Sequence, residues 1–547
     1  MLFRSPTLSQ SFAEEQNITL QGYATYKQSF GKSDIGALIV YERRTGADDN
    51  FSAGRINYAV NLDELSLGST NTADFSNSGS SSKSAQIGWV YRLNYAYNSK
   101  YLLELTGRYD GHYYFAPGKR YAFFPAVSAG WRLSEENFIK DNYPWIDNLK
   151  IRGSYGKSGN LAGDPFQYLT AYGLASSYIL GGTAPYQTQG IFENAQPNPN
   201  ITWETAKKAD IGLDATLFRG QINFSFDYFK ERRSDMLLKP TEVIPVEYGI
   251  GISQENAGIM ENGGIDLSLG TNQRFTNGIK LNASFNFSYA KNKLIQTFEN
   301  ASTYNNPNRR LTGRALNTQF GLKAVGFYQQ DDFNSDGTLK SGEPVPTYGP
   351  IAPGDIKYAD LAGAPDANGK PSGPDGIINI NDYTVIGYPL FPQIVFGLNT
   401  SLSWKGIDLY MLWQGAGNST YYVFDELASP FYNGAKIADY QLDYWTPENP
   451  DAKFPRLTPA VITNNAQTSS FWTRNGTYLR LKTIELGYTL PPAIMNAIKL
   501  QSVRVFVSGQ NVLTFSAENY IDPEIGNNRA RYYFQQKTYT VGLNVGF

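Results

Sequence analysis

The sequence predicts an all-β chain, an antiparallel transmembrane β-barrel of about 14–16 strands. Three observations carry that expectation. Segments of about ten residues alternate large apolar with small or polar side chains along most of the chain. Connections between them switch between tight turns and long loops. Aromatic residues make up 14% of the sequence, yet no apolar run reaches the roughly 18 residues a membrane helix needs. Successive side chains of a strand point to opposite faces, so each dyad segment offers one face to lipid and one to water.

Element by element, strands are expected near residues 18–28, 35–43, 85–98, 101–112, 122–134, 147–158, 205–218, 220–232, 255–271, 278–293, 391–405, 407–421, 477–490, 501–514 and 537–547. In the third, Ile87, Trp89, Tyr91, Leu93, Tyr95 and Tyr97 alternate with Gln86, Gly88, Arg92, Asn94 and Asn98. Ile222, Phe224, Phe226 and Tyr228 alternate with Gln221, Asn223, Ser225 and Asp227. Ile279, Leu281, Phe285, Phe287 and Tyr289 alternate with Lys280, Asn282, Ser284, Asn286 and Ser288. The last strand sets Tyr539, Val541, Leu543, Val545 and Phe547 against Thr538, Thr540, Gly542, Asn544 and Gly546. A soluble β-sandwich or propeller also alternates. Its core favours Val, Ile and Leu, whereas Tyr and Phe dominate here, and Tyr suits a membrane interface where the ring is apolar and the hydroxyl stays wet.

Asn98-Ser99-Lys100, Arg219-Gly220 and Lys405-Gly406 read as tight turns, and 44–84, 159–204, 294–390 and 422–476 as long loops. Outer-membrane barrels pair short periplasmic turns with long external loops in this way, and loops of that length are rarely idle. Ser76–Lys83 is low-complexity and expected to be mobile. A count near fifteen is odd, whereas an up-and-down antiparallel barrel closes with an even number.

Composition narrows the function. Net charge is −2, which gives a nucleic-acid surface no electrostatic support. Cysteine is absent, so disulfides and thiolate chemistry are excluded. His112 is the single histidine, which leaves no His-based metal centre or triad. Glu14-Glu15 and Glu135-Glu136 read as solvated ends, and Gly153–Gly159 sits in a strand pattern with no helix to make it a phosphate loop. No catalytic constellation emerges, and an enzyme is not expected. The amino terminus MLFRSPTLSQSFAEEQ lacks the features of an export signal, so either the signal lies upstream of this start or Met1 is an internal or artificial start, the second being the favoured reading.

Several stretches, in order, resemble the SusC/RagA family of TonB-dependent outer-membrane transporters. They are R-Y-D-G at Arg108–Gly111, F-F-P-A-V-S-A-G-W-R-L-S at Phe123–Ser134, L-K-I-R-G-S-Y-G-K-S-G-N at Leu149–Asn160 and I-T-W-E-T-A-K-K-A-D-I-G-L-D at Ile201–Asp214. N-A-G-I-M-E-N-G-G-I-D at Asn256–Asp266, P-G-D-I-K-Y-A-D-L at Pro353–Leu361, Y-L-R-L-K-T-I-E-L-G-Y-T-L-P at Tyr478–Pro491 and Q-N-V-L-T-F at Gln510–Phe515 follow. The resemblance implies a barrel of about 22 strands, of which this chain covers about the later two-thirds, with the plug domain and TonB-contacting segment having no counterpart here. It also implies a Gram-negative outer-membrane location, a SusD-like surface lipoprotein partner, TonB acting through the plug region, and oligosaccharides or peptides as imported substrates. The family's use of a terminal aromatic as an assembly signal gives Phe547 that expected role. A passive porin, or a secreted β-rich binding or adhesion protein, are the alternatives.

Two segments carry candidate cation sites. Asp332-Phe-Asn334-Ser-Asp336-Gly337-Thr338-Leu-Lys-Ser-Gly-Glu343 fits D-x-[DN]-x-[DN]-G-x5-E. Asp332, Asn334 and Asp336 would supply side-chain oxygens to Ca2+, Thr338 its carbonyl, and Glu343 both carboxylate oxygens. The alternative is a polar turn. Asp375-Gly376-Ile377-Ile378-Asn379-Ile380-Asn381-Asp382 resembles the back half of such a loop, with Asp360 as a first ligand displaced by an insertion over Ala362–Pro374. Either Asp360 folds back or Asp366 and Asn368 substitute, and a structural turn is again the alternative. Trp413, Asn418, Tyr421 and Tyr422, where a strand enters a long loop, are candidate ligand-stacking residues, with girdle and loop packing as the competing explanation.

Overall fold

The computed structural model describes residues 6–60, 62–181, 185–240, 243–526, 529 and 531–547. Its frame is a 15-stranded antiparallel meander in which each strand pairs with the next one along the barrel. The strands are β1 (Thr7–Phe30), β2 (Ser33–Ile56), β3 (Phe75–Tyr97), β4 (Tyr101–His112), β5 (Tyr121–Arg132), β6 (Ile146–Asn160), β7 (Glu204–Leu217) and β8 (Ile222–Leu238). They continue as β9 (Glu255–Arg274), β10 (Lys280–Gln296), β11 (Ile394–Trp404), β12 (Ile407–Gly417), β13 (Tyr478–Thr489), β14 (Ser502–Ser516) and β15 (Thr538–Gly546). Each expected strand has its counterpart. β1 and β15 form the two ends of the sheet, and because neighbours alternate in direction, the first and fifteenth strands run the same way.

The tight connections follow from backbone chemistry. Lys405 and Gly406 both have positive φ (49° and 87°), the two-residue hairpin geometry whose twist matches the strands it joins. Between β7 and β8 the connection is longer, residues 218–221, and Phe218, Arg219 and Gly220 all take positive φ there.

The expected loop over 44–84 is corrected: it is mostly hairpin. β2 runs on to Ile56 and β3 begins at Phe75, with Ala47 opposite Lys83 and Ser52 opposite Ser78. Ser76–Lys83 therefore lies in a paired strand. Hydroxyl and amide contacts stitch it, Ser52 Oγ to Ser78 Oγ at 2.8 Å and Asn50 Nδ2 to Ser80 Oγ at 2.8 Å. These residues show no dyad because both faces are exposed. Segment 159–204 likewise contains a hairpin, Ala171–Leu180 with Tyr186–Gln196, extended by Gly251–Ile252.

The strand face expected to be apolar is the exposed one. Leu93, Leu103, Leu105, Ile151, Leu269, Leu398, Leu486, Val507, Val541 and Leu543 all lie open on it. In a soluble sheet these residues would be the core. Here the main apolar core sits in the long loops, where Leu322, Ile356, Tyr358, Ile378, Val423, Trp445, Phe454 and Trp472 are buried together.

Candidate functional site

The polar face of the sheet is a wall of paired charges. Arg152 of β6 donates from Nε to Asp214 (2.9 Å), from Nη1 to Asp210 (3.2 Å) and from Nη2 to Asp227 (2.8 Å), joining three successive strands. Arg152 pairs in register with Gly212, and a Cβ there would stand 2.5 Å from its guanidinium carbon, so the glycine lets the side chain lie flat. Arg504 of β14 repeats the device across Gly487, reaching Asp408 (Nε–Oδ1 3.0 Å) and Glu485 (2.6 Å). A concavity of about 900 Å³ opens on this face, lined by Lys27, Asn94, Glu104, Ser128, Lys150 and Arg152, near the short-turn end of the strands. The polar side carries this concavity, and the exposed apolar side is the opposite surface of the sheet.

At the other end the loops fold into a cap. Asp355, fully buried, accepts from Arg456 Nε (2.9 Å) and Nη2 (3.1 Å), Asn465 Nδ2 (2.9 Å) and the Ala352 amide (2.8 Å). Asn465 Oδ1 accepts from the Ile356 amide, and the Tyr358 hydroxyl donates to the Asn464 carbonyl at 2.7 Å. The segment Pro353–Tyr358 is therefore the clamp between loops 294–390 and 422–476. Arg480, also buried, holds the segment after β14 to the wall through Asp522 (2.8 Å) and Glu524 (2.7 Å).

Residues 3–399 match the family described as TonB dependent receptor-like, beta-barrel. The chain belongs to this family. It is 33% identical over 482 residues to TonB-dependent receptor P26 of Formosa agariphila, covering 83% of this chain and 45% of that protein. It is 31% identical to TonB-dependent receptor P3 of the same organism, covering 97% and 52%, and 22% identical to TonB-dependent receptor SusC of Bacteroides thetaiotaomicron, covering 97% and 50%. The RagAB peptide transporter structure shares the fold at 22% identity, with a TM-score of 0.77 over 99% of this chain and 56% of that one. The chain thus spans about half the length of these relatives. As a TonB-dependent receptor-like barrel it is an outer-membrane protein, and its apolar outer face lies against lipid.

In this receptor barrel the first candidate cation loop does not gather a calcium cage. Lys357 Nζ stands between the two outer ligands of the pattern, 3.3 Å from Asp332 Oδ1 and 2.6 Å from Glu343 Oε2. Asp336 turns back to accept from the Thr338 amide (3.0 Å) and hydroxyl (2.6 Å), which hold its carboxyl below the usual range. The Asn334 amide donates to Thr338 Oγ1, and the Thr338 carbonyl accepts from the Asn334 backbone. Among the described residues no group of three or more acidic or histidine side chains converges as a metal site. A local pattern cannot register an ammonium supplied from outside it. Chelator is therefore expected to leave proteolysis of loop 294–390 unchanged, whereas in Lys357→Met calcium should protect the loop. Protection by calcium of the unmodified protein would restore the calcium reading.

In the second loop Asp360 does fold back. Its carboxylate accepts from the Asp375 (3.3 Å) and Gly376 (2.6 Å) amides, while the insertion closes on itself as a tongue, with Gly363 N to Gly373 O at 2.9 Å. Asp366 caps the tip of that tongue through the Asn368 and Lys370 amides. Asp382 is fully buried and spent on the Leu361, Ala362 and Asn379 amides, and Asn379 accepts from the Asn381 amide. These residues form structural turns.

The stacking candidates do not share a site. Trp413 lies in register with Leu398 and Leu481 on the lipid side. Asn418 sits in the turn at the end of β12 with φ 54°. Tyr421 is buried in the loop core, and Tyr422 donates to the Gln467 carbonyl at 3.1 Å. Tyr421 and Tyr422 are thus part of the loop packing and Trp413 of the outer face. Residues missed in the sequence, Asp355, Arg456 and Arg480, carry the mouth instead; the P-G-D-I-K-Y and Y-L-R-L-K motifs that contain two of them were the available signal.

One ion cluster in the mouth sets a pH response. Glu426 accepts from Arg529 (Nε 3.1 Å) and Arg531 (Nε 2.8 Å), Arg529 foremost, and these hold its carboxyl down to about 2. A depressed carboxyl stabilises above its unfolded value and loses that contribution as pH falls from about 4.5 toward 2. At pH 6, Glu426→Gln is expected to be cleaved faster than wild type near 425–434. At pH 2.5, with pepsin, the two should converge.

Proposed function

We propose that this chain is the barrel wall of a TonB-dependent importer of large nutrients, oligosaccharides or peptides, working with a SusD-like surface lipoprotein. The observation that carries this reading is the pairing of a charged, concave inner wall with external loops folded into a structured mouth. A passive pore needs no such mouth, and an adhesion protein needs no lipid-facing band. Hairpin 171–196 supports the lipoprotein partner, since Tyr172, Leu174, Tyr178 and Ile191 are each more than 60% exposed on the external side. Apolar side chains displayed that way in water suit a protein lid. The peptide class is favoured by the likeness to the RagAB peptide transporter, and the oligosaccharide class by the family resemblance of the sequence motifs.

The test is deletion of the gene followed by growth on defined oligopeptides or oligosaccharides as sole nutrient. Loss of growth on one class, restored by the intact gene only where TonB is present, is the expected result. Restoration without TonB would favour the porin reading. Removing the four exposed side chains of the hairpin should release a co-purifying lipoprotein without unfolding the barrel.

A further inference from the structure

The outer face changes character abruptly at its external rim. Following the hydrogen-bond register across β6–β11, one row reads Gly153, Ile211, Tyr228, Ile265, Tyr289, Ile394. This is the upper edge of the apolar band, and below it come Ile151, Leu213, Phe226, Leu267, Phe287 and Phe396. One dyad further out stand Lys230 and Lys291, separated by Gly263. The next dyad reads Lys157, Lys207, Arg232, Glu261, Lys293. Six cations and one carboxylate therefore occupy two adjacent dyad rows on the lipid side, immediately beyond the aromatic edge.

The pairing on this face is lopsided. Glu261 is taken by Arg232 (2.6 Å) and lies 3.9 Å from Lys230. Among the described residues Lys157, Lys207, Lys291 and Lys293 have no acidic partner within 4.0 Å. On the opposite, inner face of the same strands the cations have a carboxylate partner, Lys208 lying 3.5 Å and Arg233 3.3 Å from Glu231. A concavity of about 720 Å³ opens at the unbalanced patch, lined by Lys230, Glu261, Lys291, Lys293, Arg314 and Tyr388. β10 extends past its neighbour here, since pairing with β11 ends at Tyr289–Ile394, and segment 313–318 bridges the step.

We propose that this patch binds the phosphorylated headgroup of an outer-leaflet lipid. Height decides the occupant: acyl chains against Phe226, Leu267 and Phe287 put a headgroup at Lys230 and Lys291, where a soluble ligand of the lumen does not pass. Charge decides its chemistry, because unpaired ammonium groups at a membrane surface attract phosphate. The site is on the outside of the barrel, so it stands apart from the import reading.

The test uses the full-length receptor in neutral detergent, titrated with phosphorylated lipid A, with its dephosphorylated form, and with inorganic phosphate, bound lipid being read by native mass spectrometry. Phosphorylated lipid A should bind at least about tenfold more tightly than the dephosphorylated form. Lys230→Gln/Lys291→Gln/Lys293→Gln should weaken it by roughly a hundredfold, and the same three positions as Arg should retain it. Heat-modifiable migration of both variants reports that the barrel is intact. Equal binding of the two lipids, or no loss in the Gln variant, would overturn the proposal. So would displacement of the lipid by millimolar inorganic phosphate, which would mark a free-anion site.

Discussion

Asp355→Ala in the full-length receptor is expected to unclamp the two largest external loops while leaving the barrel folded. The carboxylate is fully buried and accepts four hydrogen bonds from three segments, two of them from Arg456. Removing one partner of a buried ion pair costs about 3–5 kcal/mol, because the remaining charge and donors lose their compensation. Arg456 keeps some access to water, with 29% of its side chain exposed, which places the expected cost toward the lower end. Even so, the effect should dwarf that of an exposed pair. Lys453, 81% exposed and 3.9 Å from Asp443, is the control, and Lys453→Met should change stability by about 0.5 kcal/mol or less. Limited proteolysis at 345–358 and 443–475 would report the loss, and transport should fall with it. Heat-modifiable migration should be unchanged, because no barrel strand depends on this clamp. Proteolysis of Asp355→Ala no faster than that of Lys453→Met would show that the loops are held by their apolar core alone.

How much was legible in the sequence depends on which solvent shaped each segment. Within the membrane, lipid on one side and water on the other force a period of two, so Ile222–Tyr228 and Tyr539–Val545 announce themselves. Beyond the membrane, strands 44–56 and 75–84 meet water on both faces, nothing requires alternation, and a Ser- and Asn-rich hairpin reads as a loop. The mouth is harder still. Trp445 and Trp472 pack in one core across loops with no periodicity, and Asp355 meets Arg456 across 101 residues of chain. Asp332 to Glu343 fits a calcium pattern because the pattern records only its own residues; Lys357, which neutralises both ends, lies outside it. Tyr421 and Tyr422 were ambiguous for a related reason, since an aromatic chosen for burial has the same letter as one chosen for stacking.

The apolar dyads make a sharp demand on the last strand. Leu543→Arg is expected to impair assembly, and Asn544→Arg to be tolerated. Leu543 pairs in register with Val505, beside Tyr488, and is 61% exposed on the lipid side. A cation at the midplane costs about 2–4 kcal/mol, and Leu543 stands toward the short-turn edge of the band, in the row of Val505, Tyr488 and Ile407, where the cost falls to about 1 kcal/mol. Against a marginal folding free energy that is still several-fold in the yield of folded protein. Asn544 is its neighbour in sequence but pairs with Arg504 on the inner wall. There Asp408 and Glu485 already hold a guanidinium, and a second cation meets two carboxylates and water. Like-charge repulsion with Arg504 is screened in that setting and should amount to a few tenths of a kcal/mol. The measurement is the yield of heat-modifiable receptor in outer-membrane fractions from the full-length gene. Leu543→Arg should fall several-fold or more below wild type, while Asn544→Arg should stay close to it. Equal yields would mean that the face carrying Val505, Val541 and Leu543 does not meet lipid. Reversed yields would put lipid on the Arg504 side, and the inner wall of ion pairs would lose its place in the import reading.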